Sequence, residues 1–194
     1  AFYECTALKT VTIPETITSI GSMSFTYSGL TSVTIPNSVI SSSDAFRFAS
    51  HLTNVSIASG LVHIPDSAFR RCLSLEAVTI PKTVKSIGVA TFLEAFSPQS
   101  NFTLILPSSF EIAGVQSFFG NGITSVTFPQ TIKRLSAAAF GRNKIKKVTL
   151  SPIGDMTVED GAFLTNQLEE VYLNTSHTLK LGEGVFADNP KLSA

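Results

Sequence analysis

Residues 68–88 read Ala68-Phe69-Arg70-Arg71-Cys72-Leu73-Ser74-Leu75-Glu76-Ala77-Val78-Thr79-Ile80-Pro81-Lys82-Thr83-Val84-Lys85-Ser86-Ile87-Gly88. Val78 and Ile80 alternate with Ala77 and Thr79, a period of two that places both apolar side chains on one face of a strand. Pro81 has no N–H with which to continue a ladder, so the strand stops there. A second apolar pair, Val84 and Ile87, returns the chain across a core, and Gly88 is expected to supply the turn into the next phenylalanine.

The same text recurs along the whole chain. A phenylalanine, usually after a small residue, stands at Phe2, Phe25, Phe46, Phe69, Phe92, Phe118, Phe140, Phe163 and Phe186, at intervals of 23, 21, 23, 23, 26, 22, 23 and 23. Five or six residues after most of them comes Leu8, Leu30, Leu52, Leu75, Ile123, Ile145, Leu168 or Leu192. Then follow the pairs Val11 and Ile13, Val33 and Ile35, Val55 and Ile57, Val78 and Ile80, Leu104 and Leu106, Val126 and Phe128, Val148 and Leu150, and Val171 and Leu173. Pro14, Pro36, Pro81, Pro107 and Pro129 close five of these segments at one level. Each coil thus contributes one short strand, and strands joined this way are parallel.

Three residues after each phenylalanine stand Cys5, Ser28, Ala49, Cys72 and Ala95, then Asn121, Asn143, Asn166 and Asn189. Small or hydrogen-bonding side chains at that place suit a tight turn that bonds the backbone of a neighbouring coil. The full pattern, Ala-Phe-x-x-Cys/Asn-x-x-Leu-x-x-Val-x-Ile-Pro-x-x-Val-x-x-Ile-Gly, resembles the leucine-rich repeat of the BspA-like type, also described for a Treponema repeat protein. The resemblance covers the whole chain. It implies a leucine-rich-repeat solenoid of the α/β horseshoe class, rich in β and poor in helix, with a parallel sheet of one strand per coil. Residues 1–194 are then a single domain of about eight or nine coils, expected to be a fragment of a longer array without its caps.

Composition narrows the function. There are 14 basic and 14 acidic side chains, and charged residues make up only 14 % of the chain, so no nucleic-acid partner or anionic membrane is suggested. No apolar run reaches the ~18 residues of a membrane span, and Ala1-Phe2-Tyr3-Glu4-Cys5 lacks the layout of a signal peptide. As a stretch of a longer array, the chain is expected to leave any signal, cap and anchor segments outside these residues. Serine and threonine supply about a quarter of the residues, in keeping with exposed β-structure.

Catalytic and metal chemistry find little support. Cys5 and Cys72 hold the same repeat position three coils apart, about 14 Å at ~4.8 Å per strand, whereas a disulfide needs Cα atoms within about 7 Å; both read as free thiols. His51, His63 and His177 fall on different coils at different positions, without ligand spacing or a nucleophile beside them. Asp155, Glu159 and Asp160 lack an acid or base partner, and Gly120-Asn121-Gly122 is a turn and not a phosphate cradle. The reading is a non-enzyme without metal or cofactor. Asn54, Asn101 and Asn174 open glycosylation sequons, of the kind a Ser- and Thr-rich chain contains by accident.

Lys144, Lys146 and Lys147 form a basic run, but Glu169 and Glu170 follow at the repeat interval. An in-register parallel sheet sets Lys146 against Glu169 and Lys147 against Glu170, each pair contributing about 0.2–1 kcal/mol.

The strand residues that face away from the core form two columns: Thr10, Ser32, Asn54, Ala77, Thr103, Ser125, Lys147 and Glu170, and Thr12, Thr34, Ser56, Thr79, Ile105, Thr127, Thr149 and Tyr172. The N-terminal part reads as a strand-stabilising Thr ladder. The character changes toward the C-terminal half, where aromatic and charged side chains carry more recognition energy than hydroxyls. Thr103, Ile105, Ser125, Thr127, Lys147, Thr149, Glu170 and Tyr172 are therefore the candidate ligand-binding strand face. A second candidate is the loop Ser97, Pro98, Gln99, Ser100 and Asn101, which lengthens the fifth interval to 26, because insertions in repeat arrays become edge loops.

The family resemblance implies an extracellular or cell-surface module for adhesion or protein interaction, binding host matrix or other surface proteins. A structural spacer array and an intracellular interaction scaffold stand as alternatives, and uncapped coils leave end-to-end self-association open.

Overall fold

A computed structural model of the chain describes residues 1–39, 42–97, 99 and 101–193. The elements in chain order are β1 (Ser32–Ile35), β2 (Asn54–Ile57), β3 (His63–Ile64), β4 (Ala77–Val78), β5 (Ser86–Ile87), β6 (Phe102–Ile105), β7 (Ile112–Ala113), β8 (Ile123–Thr127), β9 (Arg134–Leu135), β10 (Lys147–Leu150), β11 (Met156–Val158), β12 (Glu170–Leu173) and β13 (Leu179–Leu181). All pairings are parallel, no helix occurs among the described residues, and the chain is a leucine-rich-repeat solenoid.

The front strands arise from the Val-x-Ile segments, as their alternation requires. β1 pairs β2 with Val33 opposite Val55 and Ile35 opposite Ile57, all four buried. The structure adds a second strand to the coil. The segment after the proline, ending in Ile64, Ile87, Ala113, Leu135 or Val158, forms a continuous back sheet in the order β13-β11-β9-β7-β5-β3, six turns in all.

The front ladder is not continuous: it falls into β1-β2-β4, β6-β8 and β10-β12. The first interruption lies at the lengthened coil, where Phe96 takes the place of the repeat leucine, bridging Leu75 and meeting the Phe102 ring at a tilt of 38° with centroids 4.6 Å apart. The second follows β8, whose neighbouring Phe128 meets the rings of Phe140 and Phe163 edge-on at 5.2 and 5.9 Å.

Between the sheets the nine repeat phenylalanines form one unbroken column. Each ring stacks on the next, from Phe2 to Phe186, with centroids 5.0 to 5.8 Å apart and planes within 17° of parallel. Each fully buried ring contributes about 1.5–3 kcal/mol by leaving water, and each stacked pair about 0.5–1.5 kcal/mol more.

The turns around this column have an unexpected geometry. Two residues per coil, two before and two after the phenylalanine, take the left-handed conformation: Asp44 (φ 55°) and Phe48 (φ 57°) flank Phe46, and Ala138 (φ 52°) and Arg142 (φ 51°) flank Phe140. Glycine holds such a place only at Gly120, Gly161 and Gly184. Gly21 and Gly88 do not have positive φ, so they do not supply the turn by left-handed backbone as expected. At Gly88 the requirement is close approach instead, since a Cβ would stand 2.2 Å from Asp66 Oδ1 and 2.7 Å from its backbone nitrogen.

The asparagines do what their position implies. Asn143 donates from Nδ2 to the carbonyls of Phe118 and Phe140 at 2.9 and 3.0 Å and accepts at Oδ1 from the N–H groups of Asn121 and Ile123 at 3.0 and 3.1 Å. Asn121, Asn166 and Asn189 repeat the motif. Cys72 makes a single contact there, Sγ to the Phe46 carbonyl at 3.3 Å. Both cysteines are free, and burial raises the Cys72 thiol far above its ordinary range.

Candidate functional site

On the front sheet the two outward columns hold register. Thr103 lies opposite Ser125 and Ile105 opposite Thr127; Lys147 lies opposite Glu170 and Thr149 opposite Tyr172. The eight candidate residues thus form two patches of four, one on β6-β8 and one on β10-β12. Between them, where β8 and β10 share no ladder, is a hollow of about 290 Å³ that includes Ser125, Thr127, Lys147 and Thr149 in its lining. A second hollow of about 310 Å³ lies at the other interruption, lined by Val78, Thr79, Ile80, Thr103, Ile105 and Pro107.

Two side chains dominate this face. Ile105 is 70 % exposed, which costs apolar hydration that a partner would relieve. Tyr172 is 45 % exposed, and Lys147 Nζ lies 4.5 Å from its ring centroid while also 2.9 Å from Glu170 Oε2. The hydrogen bond from Lys147 holds the Glu170 carboxyl below its usual range, and the same bond raises the Lys147 ammonium above its own.

The neighbouring pair follows a different course from the expected one. Lys146 and Glu169 are in register, with Glu169 N–H donating to the Lys146 carbonyl at 2.8 Å. The Glu169 side chain nonetheless turns to the following coil, its Oε1 3.5 Å from Lys191 Nζ. A long side chain above a strand reaches either neighbour, so register alone does not choose between them.

The candidate loop is held by local bonds. Ser97 donates to Gln99 Oε1 at 3.0 Å, Asn101 donates to the Gln99 carbonyl at 3.4 Å, and Lys144 donates to Asn101 Oδ1 at 2.9 Å. Pro98 and Ser100 lie outside the described residues. Ser97, Gln99 and Asn101 join Thr53, Ser74, Glu76 and Phe102 around a polar depression at the sheet's edge.

Several charges along the back sheet pair with one another. Glu111 lies 2.7 Å from Lys133 and 3.7 Å from Lys85, and Arg134 lies 3.5 Å from Glu159. His63 Nδ1 is 2.8 Å from Ser86 Oγ without a carboxylate to complete a triad. Among the described residues no group of three or more His, Cys, Asp and Glu side chains is placed to hold a metal, and no helix is long and apolar enough to cross a membrane.

One cluster escaped the sequence reading. Tyr27, Phe48, Arg71 and Glu94 each stand two residues after a repeat phenylalanine, and they meet at one corner of the solenoid: Tyr27 stacks on Phe48 at 5.2 Å, and Arg71 pairs with Glu94 at 2.8 Å. The repeat interval would have found them had the positions after each phenylalanine been aligned as the strand positions were.

A profile of the BspA type leucine rich repeat region matches residues 1–95 and 93–194, with six copies of the repeat. Among solved structures, a leucine-rich-repeat protein of Treponema pallidum is similar over 91 % of this chain and 72 % of its own, with a TM-score of 0.63 and 20 % identity. A leucine-rich cell surface protein of Faecalibacterium prausnitzii is similar over 100 % of this chain and 62 % of its own, with a TM-score of 0.51 and 22 % identity. No curated protein sequence matches the chain.

Proposed function

The chain belongs to the BspA-type leucine-rich-repeat family, and we propose that it is a non-enzymatic adhesion module, displayed at a cell surface or outside the cell, that binds protein partners of the host matrix or of other surfaces. Leucine-rich-repeat modules generally bind proteins, through the extended face that stacked coils create. The observation that carries the reading is the C-terminal half of the front sheet. There Ile105 stands exposed on one patch and Tyr172, beside the Lys147–Glu170 pair, on the other, and two hollows interrupt the face.

Aromatic side chains with a fixed charged neighbour lose little freedom on binding and form the centres of interfaces. The surface location is supported by the description of the Faecalibacterium relative as a cell surface protein. The test is binding of the purified chain to immobilised extracellular-matrix proteins, repeated with Tyr172→Ala and Ile105→Ser. Saturable binding that weakens by tenfold or more in either variant supports the front face, while binding indifferent to every front-face substitution rejects it.

A further inference from the structure

Asn121 is the one asparagine of the chain that precedes a glycine. Its carboxamide also ties the lengthened coil to the coil after it. Nδ2 donates to the Phe92 carbonyl at 2.7 Å, and Oδ1 accepts from the N–H groups of Ala95 and Phe96 at 2.9 and 3.2 Å. Asn121 is buried, whereas Gly122 is half-buried, with a φ of 70°.

An asparagine side chain is an electrophile as well as a hydrogen-bonding group. The amide nitrogen of the next residue can reach Cγ, and a side chain on that residue obstructs the approach; glycine has none. Asn143, Asn166 and Asn189 hold the same place in later coils and bond in the same way, but Lys144, Gln167 and Pro190 follow them. The N–H groups of Lys144 and Gln167 are already bonded to the carbonyls of Ile123 and Ile145 at 2.8 and 3.1 Å, and Pro190 has no N–H. Four equivalent carboxamides thus differ in the nucleophile beside them.

We propose that Asn121–Gly122 is a modification site, at which the chain rearranges its own backbone when the junction between these two coils opens. The Gly122 nitrogen gives up its proton and attacks Asn121 Cγ; the Cγ–Nδ2 bond breaks and ammonia leaves, closing a succinimide. Water, the only co-reactant, then adds to either ring carbonyl and yields aspartate or isoaspartate. Ring closure expels Nδ2 and turns Oδ1, so it competes with all three hydrogen bonds, and the closed junction suppresses it. The change is one-way. Aspartate sets a carboxylate oxygen against the buried Phe92 carbonyl, and isoaspartate lengthens the main chain by a methylene, so neither product restores the junction.

The test holds the full chain folded in mildly alkaline buffer and, in parallel, unfolded in urea, and maps both by peptide mass spectrometry with methyltransferase labelling of isoaspartate. In the unfolded chain Asn121 should convert about tenfold faster than Asn143, Asn166 and Asn189, and Gly122→Ala, read there so that folding plays no part, should remove that lead. The folded chain should convert at Asn121 about a hundredfold more slowly than the unfolded one, since reaction waits on the open fraction. Urea below the unfolding transition should raise the rate. In the modified fraction, separated by its added charge, hydrogen exchange at Ala95 and Phe96 should be faster than in the parent. Equal rates at the four asparagines in urea, equal rates at Asn121 in the folded and unfolded chain, or unchanged exchange at Ala95 and Phe96 after modification would overturn the proposal.

Discussion

Lys147 and Glu170 stand directly opposite one another on adjacent parallel strands, one repeat interval apart, with Nζ 2.9 Å from Oε2. Their titration follows from that contact. The Glu170 carboxyl is held below its ordinary value, so the contribution of the pair is present above the unfolded value and is lost as pH falls through the lowered one. The Lys147 value is raised, so its contribution is full below the unfolded value and is lost as pH rises through the raised one. Carbon-detected NMR should place the Glu170 midpoint below the ~4.3 of a free glutamate, and Lys147→Met should return it upward. A midpoint at or above the free value in the parent would contradict the contact.

The stacked column predicts where single substitutions are most harmful. Phe140 is fully buried, stacked on Phe118 and Phe163, and met edge-on by Phe128. Phe140→Ala should destabilise by about 3–5 kcal/mol in urea unfolding, and Phe140→Leu by less. Loss under 1 kcal/mol in the alanine variant would show that the column is not a principal source of cohesion.

A buried asparagine predicts a loss of a different kind. Asn143→Ala leaves the enclosed N–H groups of Asn121 and Ile123 and the Phe118 carbonyl without that partner. The expected cost is about 2–4 kcal/mol, from several groups at about 1–3 kcal/mol each with partial relaxation. Asn143→Asp keeps the acceptor and removes the donor, and hydrogen exchange at Asn121 and Ile123 should then stay slower than in the alanine variant.

Backbone handedness gives a prediction of opposite sign at two equivalent places. Ala138 (φ 52°) holds a conformation that costs an L-residue about 1–2 kcal/mol, so Ala138→Gly should raise stability slightly, by about 0.5 kcal/mol after the entropy of the unfolded glycine is subtracted. Gly161→Ala meets both a positive φ of 59° and the Leu164 Cδ2 at 2.6 Å, and should cost about 1–2 kcal/mol. Thermal melts of the two variants moving in the same direction would refute the argument.

The residues differ in how openly they announced their places. Val33, Ile35, Val55 and Ile57 were legible because a period of two and a fixed interval leave one arrangement of parallel strands, and Lys147 against Glu170 followed from the same arithmetic. The back strands were not, since Val84 and Ile87 are spaced by three and only two residues, Ser86 and Ile87, take strand geometry. The left-handed positions were hidden for another reason: Phe48, Arg71 and Glu94 belong to types with no preference for positive φ, and the stacked coils impose it on them. The front-face candidates could be placed but not paired in full, because Glu169 chose Lys191 over Lys146 by side-chain reach. The corner of Tyr27, Phe48, Arg71 and Glu94 stayed unseen because its members follow the phenylalanines and lie outside the strand pattern.

Asparagine ties the coils from Asn121 onward, whereas Ser28, Ala49, Cys72 and Ala95 hold the equivalent places before it with one thiol contact between them. Under tension along its axis the molecule is therefore not a uniform spring. Its first half should extend at lower force than the asparagine-bonded half, so a chain pulled from its two ends would lengthen in two stages instead of one.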